Sequence, residues 1–208
     1  MSTEYENKMC NFLAQKENLP IAMEIADLIG KVQGRIGNEF WERVRASLQR
    51  KLEEANLHGS WVCQELKKDK KEDFALGVFL DPKPARDPET VFRYDISEEE
   101  GNTGRYHIYQ GICPPSRGGP RAVKKAVSDL QGRLLDEGYE RSKGWIAWKY
   151  IRDFTSEDEF VLTVADRGDE YASGVAETFW DFFQATRARV EKLNSALGGC
   201  GGKPSKSR

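Results

Sequence analysis

Residues 168–197 read GDEYASGVAETFWDFFQATRARVEKLNSAL, and this stretch decides the fold. Tyr171, Val175, Phe179, Phe182, Phe183, Val190 and Leu193 recur at three- and four-residue steps, with Thr186 filling the gap. Glu177, Asp181, Arg187, Arg189, Glu191 and Lys192 lie between them. That spacing is the apolar stripe of an amphipathic helix. At about 1.5 Å per residue the helix would span roughly 45 Å, a whole domain face. It needs an apolar surface to lie on.

The middle of the chain supplies one. After Gly59 the apolar period changes to two, which predicts strands at Trp61–Leu66, Phe74–Leu80, Val91–Ile96 and Arg105–Cys113. The tip Lys67–Lys71 and the acidic turn Ser97–Gly104 join neighbours, and Pro82, Pro84 and Pro88 mark an irregular connection. Trp145–Ile151, apolar on both faces, is a fifth strand. A helix over 120–137, carrying Val123, Val127, Leu130 and Leu134, stops at Gly138. Ser156-Glu157-Asp158-Glu159 has the form of a capping box opening a short helix through Val164, and 166–169 turns into the long helix.

Upstream the period is helical. A helix over 4–16 would turn Met9, Phe12 and Leu13 inward. Asn18 caps a second, with Pro20 in its first turn and a stripe of Ile21, Ile25, Leu28, Ile29 and Val32. Gly34 and Gly37 should break it, and Asn38 then caps a third over 39–56, with Phe40, Val44, Leu48 and Leu52 in line and His58-Gly59 ending it. Runs of helices, then strands, then helices predict an α+β fold: a mostly antiparallel sheet of about five strands with the long C-terminal helix on one face. We place a single domain at 1–197, helical over 1–58 and sheet-containing over 59–197, and a disordered basic tail at 198–208.

The 208 residues are 38% hydrophobic and 32% charged with a net charge of −2, so no global field favours nucleic acid or an anionic membrane. Cys10, Cys63, Cys113 and Cys200 are far apart and make no ligand spacing with His58 or His107. Free thiols, no metal, no cofactor and a cytoplasmic location are the expectations. No membrane span or signal segment is expected either.

Four candidate sites emerge. Pro114–Arg121, with Arg117, Gly118, Gly119 and Arg121 leading into Lys124 and Lys125, has cations and free backbone N–H groups at a helix start, the ingredients of an anion or partner seat. An ordinary loop with solvated arginines is the plainer reading, and the Walker spacing is absent. Phe92, Tyr94, Tyr106 and Tyr109 could stack bases, although core packing explains them as well. His107 with Cys113 lacks a visible orienting group. Glu65-Leu66-Lys67 has the E-x-K form of a Mg²⁺-dependent nuclease, which needs a second carboxylate; Asp73, Asp81 and Asp95 are the candidates.

Phe40-Trp41-Glu42 in a helix, the aromatic meander, Gly144-Trp145-Ile146-Ala147-Trp148-Lys149-Tyr150 and the closing Phe179-Trp180-Asp181-Phe182-Phe183 occur in that order. Over roughly 38–195 this resembles the region C-terminal to the nuclease core in some bacterial PD-(D/E)XK-superfamily proteins, including ones linked to phage defence. No aspartate-bearing strand precedes the E-x-K here. The resemblance therefore implies an accessory or recognition domain, not an active nuclease. The functional expectation is a non-enzymatic binding or regulatory module for a protein or nucleoprotein partner, in bacterial or phage conflict. A divergent Mg²⁺-dependent nuclease and a nucleic-acid binder without catalysis are the alternatives. Three striped helices ahead of a sheet that one long helix already covers point to a homodimer.

Overall fold

The computed structural model describes residues 3–65, 77–83, 90–100, 104–116 and 123–198. Its helices are α1 (Thr3–Leu13), α2 (Leu19–Glu54), α3 (Lys124–Asp136) and α4 (Glu157–Gly198). Its strands are β1 (Trp61–Glu65), β2 (Gly77–Pro82), β3 (Arg93–Glu100), β4 (Tyr106–Cys113), β5 (Glu140–Ser142) and β6 (Trp145–Phe154). They form one sheet in the order β1-β2-β3-β4-β6-β5, every neighbouring pair antiparallel. The architecture is α+β with a long C-terminal helix, and the strand count is six. The sixth, β5, is three exposed residues with no apolar alternation, recruited by the turn Lys143-Gly144 to the edge of β6.

The stripe of α4 lies on the sheet. Val175, Phe179, Phe182, Phe183, Thr186, Val190 and Leu193 are all buried. Tyr94, central in the sheet, meets Trp61, Phe182 and Phe183 with ring centroids 5.1–5.7 Å apart. Its hydroxyl donates to Thr186 Oγ1 at 2.9 Å, and Thr186 in turn donates to the Phe182 carbonyl at 2.7 Å. Asn194 grips both backbone groups of Phe92 at the start of β3, at 2.8 and 2.9 Å. Trp61 Nε1 donates to Glu191 at 3.0 Å. Each of these polar groups thus has a partner, as desolvation demands.

α4 bends where the sequence turns. Arg167 has non-helical dihedrals (φ −135°, ψ 35°). At Gly168 a Cβ would meet Arg43 Nη1 at 2.2 Å, so the glycine lets that guanidinium cross the kink and pair with Asp169 at 3.3 Å. The capping box is present in shifted form. Ser156 Oγ accepts the Glu159 N–H at 3.3 Å, while Glu159 reaches back to the Thr155 N–H at 2.6 Å.

α2 corrects the two-helix reading of 18–56. It runs unbroken through Gly34 and Gly37, and Asn38 is an interior residue rather than a cap. Each glycine costs about 1 kcal/mol relative to alanine, but i,i+4 ion pairs Lys31–Asp27, Arg35–Glu39 and Arg43–Glu39 brace the segment, and Phe40, Val44, Leu48 and Leu52 beyond it are fully buried. Asn18 sits at the N-cap position, yet its side chain turns back to the Phe12 carbonyl and makes no capping bond. The stop comes before His58: Asn56 takes a positive φ of 55° and the Leu57 N–H returns to the Leu52 carbonyl at 2.7 Å. The same closure, through Gly138 and the Tyr139 N–H, ends α3.

β3 is a further correction. Ser97–Glu100, read as part of a turn, continue the strand opposite Tyr109–Tyr106. Glu98 is buried on the helix side, where it accepts the Trp41 indole N–H. The tail from 199 lies outside the described residues.

Removing the Tyr94 hydroxyl leaves Thr186 satisfied by its own helix, so Tyr94→Phe should cost about 1 kcal/mol. Phe183→Ala, which opens a cavity at the same junction, should cost about 3–5 kcal/mol. Urea unfolding of both variants at an unchanged slope checks the pair.

Candidate functional site

α2 and α4 run in the same direction: Gln33 bonds Asp158, Phe40 packs on Phe160, Arg43 pairs with Asp169 and Lys51 with Glu177. α4 begins at Glu157, so roughly three turns at the start of α2 extend beyond it as an arm. The arm and α1 are apolar yet uncovered. Ten of the thirteen exposed large apolar side chains among the described residues lie between Tyr5 and Val32, at 40–66% exposure. α1 has no buried residue, so Met9 and Phe12 face outward, contrary to the sequence reading.

On α2, Ile21, Ile25, Leu28, Ile29 and Val32 form the stripe read from sequence, but nothing described lies over it. The stripe opens into a groove of about 520 Å³ lined by Ile25, Leu28, Ile29, Val32 and Ile36 on one wall and Val161, Leu162 and Ala165 of α4 on the other. Its polar rim is Gln33 Nε2 donating to Asp158 at 2.8 Å. Ala22, Ala26, Gly30 and Gly34 follow at four-residue steps along one flank, and a Cβ at 30 or 34 would meet nothing within 4 Å. Monomers rarely leave more than a few hundred Å² of contiguous apolar surface exposed. This patch fits a docked helix.

The second face of the sheet, opposite α2 and α4, has a different chemistry. Trp145 lies directly on Gly111, where a Cβ would meet its ring at 2.6 Å. From there an aromatic row runs through Tyr109, Trp148, Tyr150 and His107, with centroid spacings of 4.2–6.5 Å. Beside it Asp81 and Asp95 are buried on adjacent strands around Arg93, which lies 4.1 Å over the Phe79 ring. Ser97 Oγ donates to Asp95, Cys113 Sγ stands 3.9 Å from it, and Asp81 Oδ1 has no hydrogen-bond partner. Burial pushes the Asp95 carboxyl up to about 7 against the pull of Ser97 and Arg93, and raises Asp81 as well.

The candidate residues read from sequence separate on this framework. Arg117, Gly118, Gly119 and Arg121 lie outside the described residues, while Lys124 opens α3 on the surface. Glu65 pairs with Arg45 of α2 at 3.0 Å, on the face opposite Asp81 and Asp95; Lys67 and Asp73 lie outside the described residues. His107 and Cys113 stand at opposite ends of β4, roughly 20 Å apart at strand spacing. His107 stands 3.1 Å from Asp153 instead. Burial raises both the Cys63 thiol, to about 12, and the Cys113 thiol, so each stays protonated near neutrality and is a poor nucleophile. Phe92, Tyr94 and Tyr106 are core, leaving Tyr109 alone of the four on the second face.

No group of three metal-ligating side chains and no helix long and apolar enough to cross a membrane occurs among the described residues. The signal that sequence reading missed is the alternation that hides Asp81 and Asp95: both fall on the polar side of their strands, where burial leaves no mark in composition.

Asp95 makes stability depend on pH. Its carboxyl keeps a proton in the folded state up to about pH 7, where the unfolded chain has lost it above about pH 4. Stability therefore falls as pH rises from about 4 to 7 and levels off above, by an amount on the order of a few kcal/mol from this group. Asp95→Asn should be more stable than wild type at pH 8 and show a flatter melting temperature between pH 5 and 8, with a remaining slope from Asp81. Thermal melts across that range check the sign. No protein-family model, no curated protein and no solved structure matches this chain.

Proposed function

We propose that this chain is a non-enzymatic binding module that takes a protein partner on the arm formed by α1 and the first turns of α2. The observation that carries the reading is the concentration of exposed large apolar side chains between Tyr5 and Val32 on a helix whose other half is anchored in the core. The partner chemistry follows from the surface. An i, i+3, i+4, i+7 stripe beside an apolar groove suits an amphipathic helix laid alongside. A second copy of the chain meets that description. Glu65, which the nuclease alternative would need as a metal ligand, lies beside Arg45 on the face of the sheet opposite Asp81 and Asp95.

A photo-reactive amino acid at Ile25, in the stripe, should give covalent adducts in expressing cells. The same group at Leu135, exposed on α3, should give few. Adding Leu28→Glu and Val32→Glu should abolish the Ile25 adducts while stability stays within about 0.5 kcal/mol of the parent, as surface changes do. Adducts from Leu135 with none from Ile25 would place the docking surface elsewhere.

A further inference from the structure

Resting on the reading of the arm as a docking surface, we propose that its occupant is a second copy of this chain, with the two α2 arms packed antiparallel about a twofold axis near Leu28 and Ile29. The surface is its own complement in that orientation. The groove runs along the stripe from Ile25 to Ile36 against Val161 and Leu162 of α4, and Ile21 projects beyond its end nearer α1. Antiparallel pairing lays Ile25 of each copy against Val32 of its mate and Ile21 against Ile36, so each arm fills the other's groove. The result is a four-helix arrangement of two α2 arms and two α4 starts.

Charge follows the same antisymmetry. Glu24 and Asp27 stand in the first half of the stripe, Lys31 and Arg35 in the second. Within one arm Lys31 pairs with Asp27 and Arg35 with Glu39, and antiparallel packing also brings Glu24 and Asp27 of one arm beside Lys31 and Arg35 of the other.

The apolar side chains of α1, the arm and Leu162 are each about half exposed. With roughly 60–120 Å² per fully buried aliphatic side chain, they leave on the order of 350–700 Å² uncovered, which reaches the lower end of specific interfaces at about 600 Å² per partner. A symmetric pair with this contact is an isologous dimer that closes on itself.

Light scattering coupled to gel filtration on the full chain should return twice the 23.7 kDa chain mass. Leu28→Glu with Val32→Glu should return the single-chain mass with unchanged helical circular dichroism. Orientation is read by mixing two proteins, Ile25→Cys and Val32→Cys, each in a background with Cys10→Ser and Cys200→Ser, so that the half-buried Cys63 and Cys113 are the native thiols left. Mild oxidation should give the mixed 25–32 disulfide several-fold over 25–25 and 32–32 products. A single-chain mass for wild type at every soluble concentration overturns the proposal. A dimer that yields only like-with-like disulfides overturns the antiparallel arrangement. If wild type is a single chain but the Ile25 photo-adduct joins a different protein, self-association falls and the binding-module reading stands; loss of both removes the arm as a docking surface.

Discussion

The contact on which the remaining structure depends is the burial of Tyr94 beneath α4. Its ring meets Trp61 from β1 and Phe182 and Phe183 from α4, and its hydroxyl is taken up by Thr186. One residue therefore ties the strand edge, the sheet centre and the helix into a single desolvated unit. Aromatic pairs in these edge-on geometries contribute about 0.5–1.5 kcal/mol beyond area burial. The hydroxyl would oppose that gain if it were orphaned, so Thr186 is as necessary as the rings. Glu191 and Asn194 serve the same purpose further along the helix, satisfying the Trp61 indole and the backbone of Phe92.

Once α4 is seated, α2 has only a fraction of its length left to bury. Its second half fills the space between α4 and β1–β2 with Phe40, Val44, Leu48 and Leu52. Because the two helices run in the same direction with α4 starting at Glu157, the first turns of α2 fall past the end of its neighbour. The exposed stripe is thus a consequence of register. Shift α4 upstream by three turns and Leu28, Ile29 and Val32 would be core. The chain instead leaves them apolar and uncovered, next to a groove that the same stripe can fill.

Much of this was legible in the residues, and the remainder was hidden for identifiable reasons. The stripe from Val175 to Leu193 predicted its own burial because spacing reports directly on which side of a helix is apolar. The turn at 166–169 marked the bend at Arg167, and Gly138 marked the end of α3. Gly34 and Gly37 misled because a glycine is a local penalty of about 1 kcal/mol that tertiary packing overrides. Ser97–Glu100 misled because a run of acids resembles a loop, whereas Glu98 has the Trp41 indole to satisfy it. β5 carries no apolar period at all. A stripe also says that one side of a helix is apolar without saying what covers it, so Ile21–Val32 could be read as a surface but not as an exposed one. Of the cations in the anion seat read from sequence, Lys124 and Lys125 fall among the described residues and Arg117 and Arg121 lie outside them.

The arm can present that surface because it is not an isolated helix. A free segment of about 14 residues is marginal in water, chiefly through the cost of its first turn. Here the first turn is already formed: residues 40–52 are held by the core, and the arm merely propagates from them. Its side chains are therefore oriented before any partner arrives, and docking forfeits little conformational freedom. Gly30 and Gly34 work against this by weakening propagation, and alanine at either position would stiffen the rod. Both glycines fall roughly 100–180° round the helix from the residues of the stripe, so filling either with alanine would leave the apolar surface itself untouched.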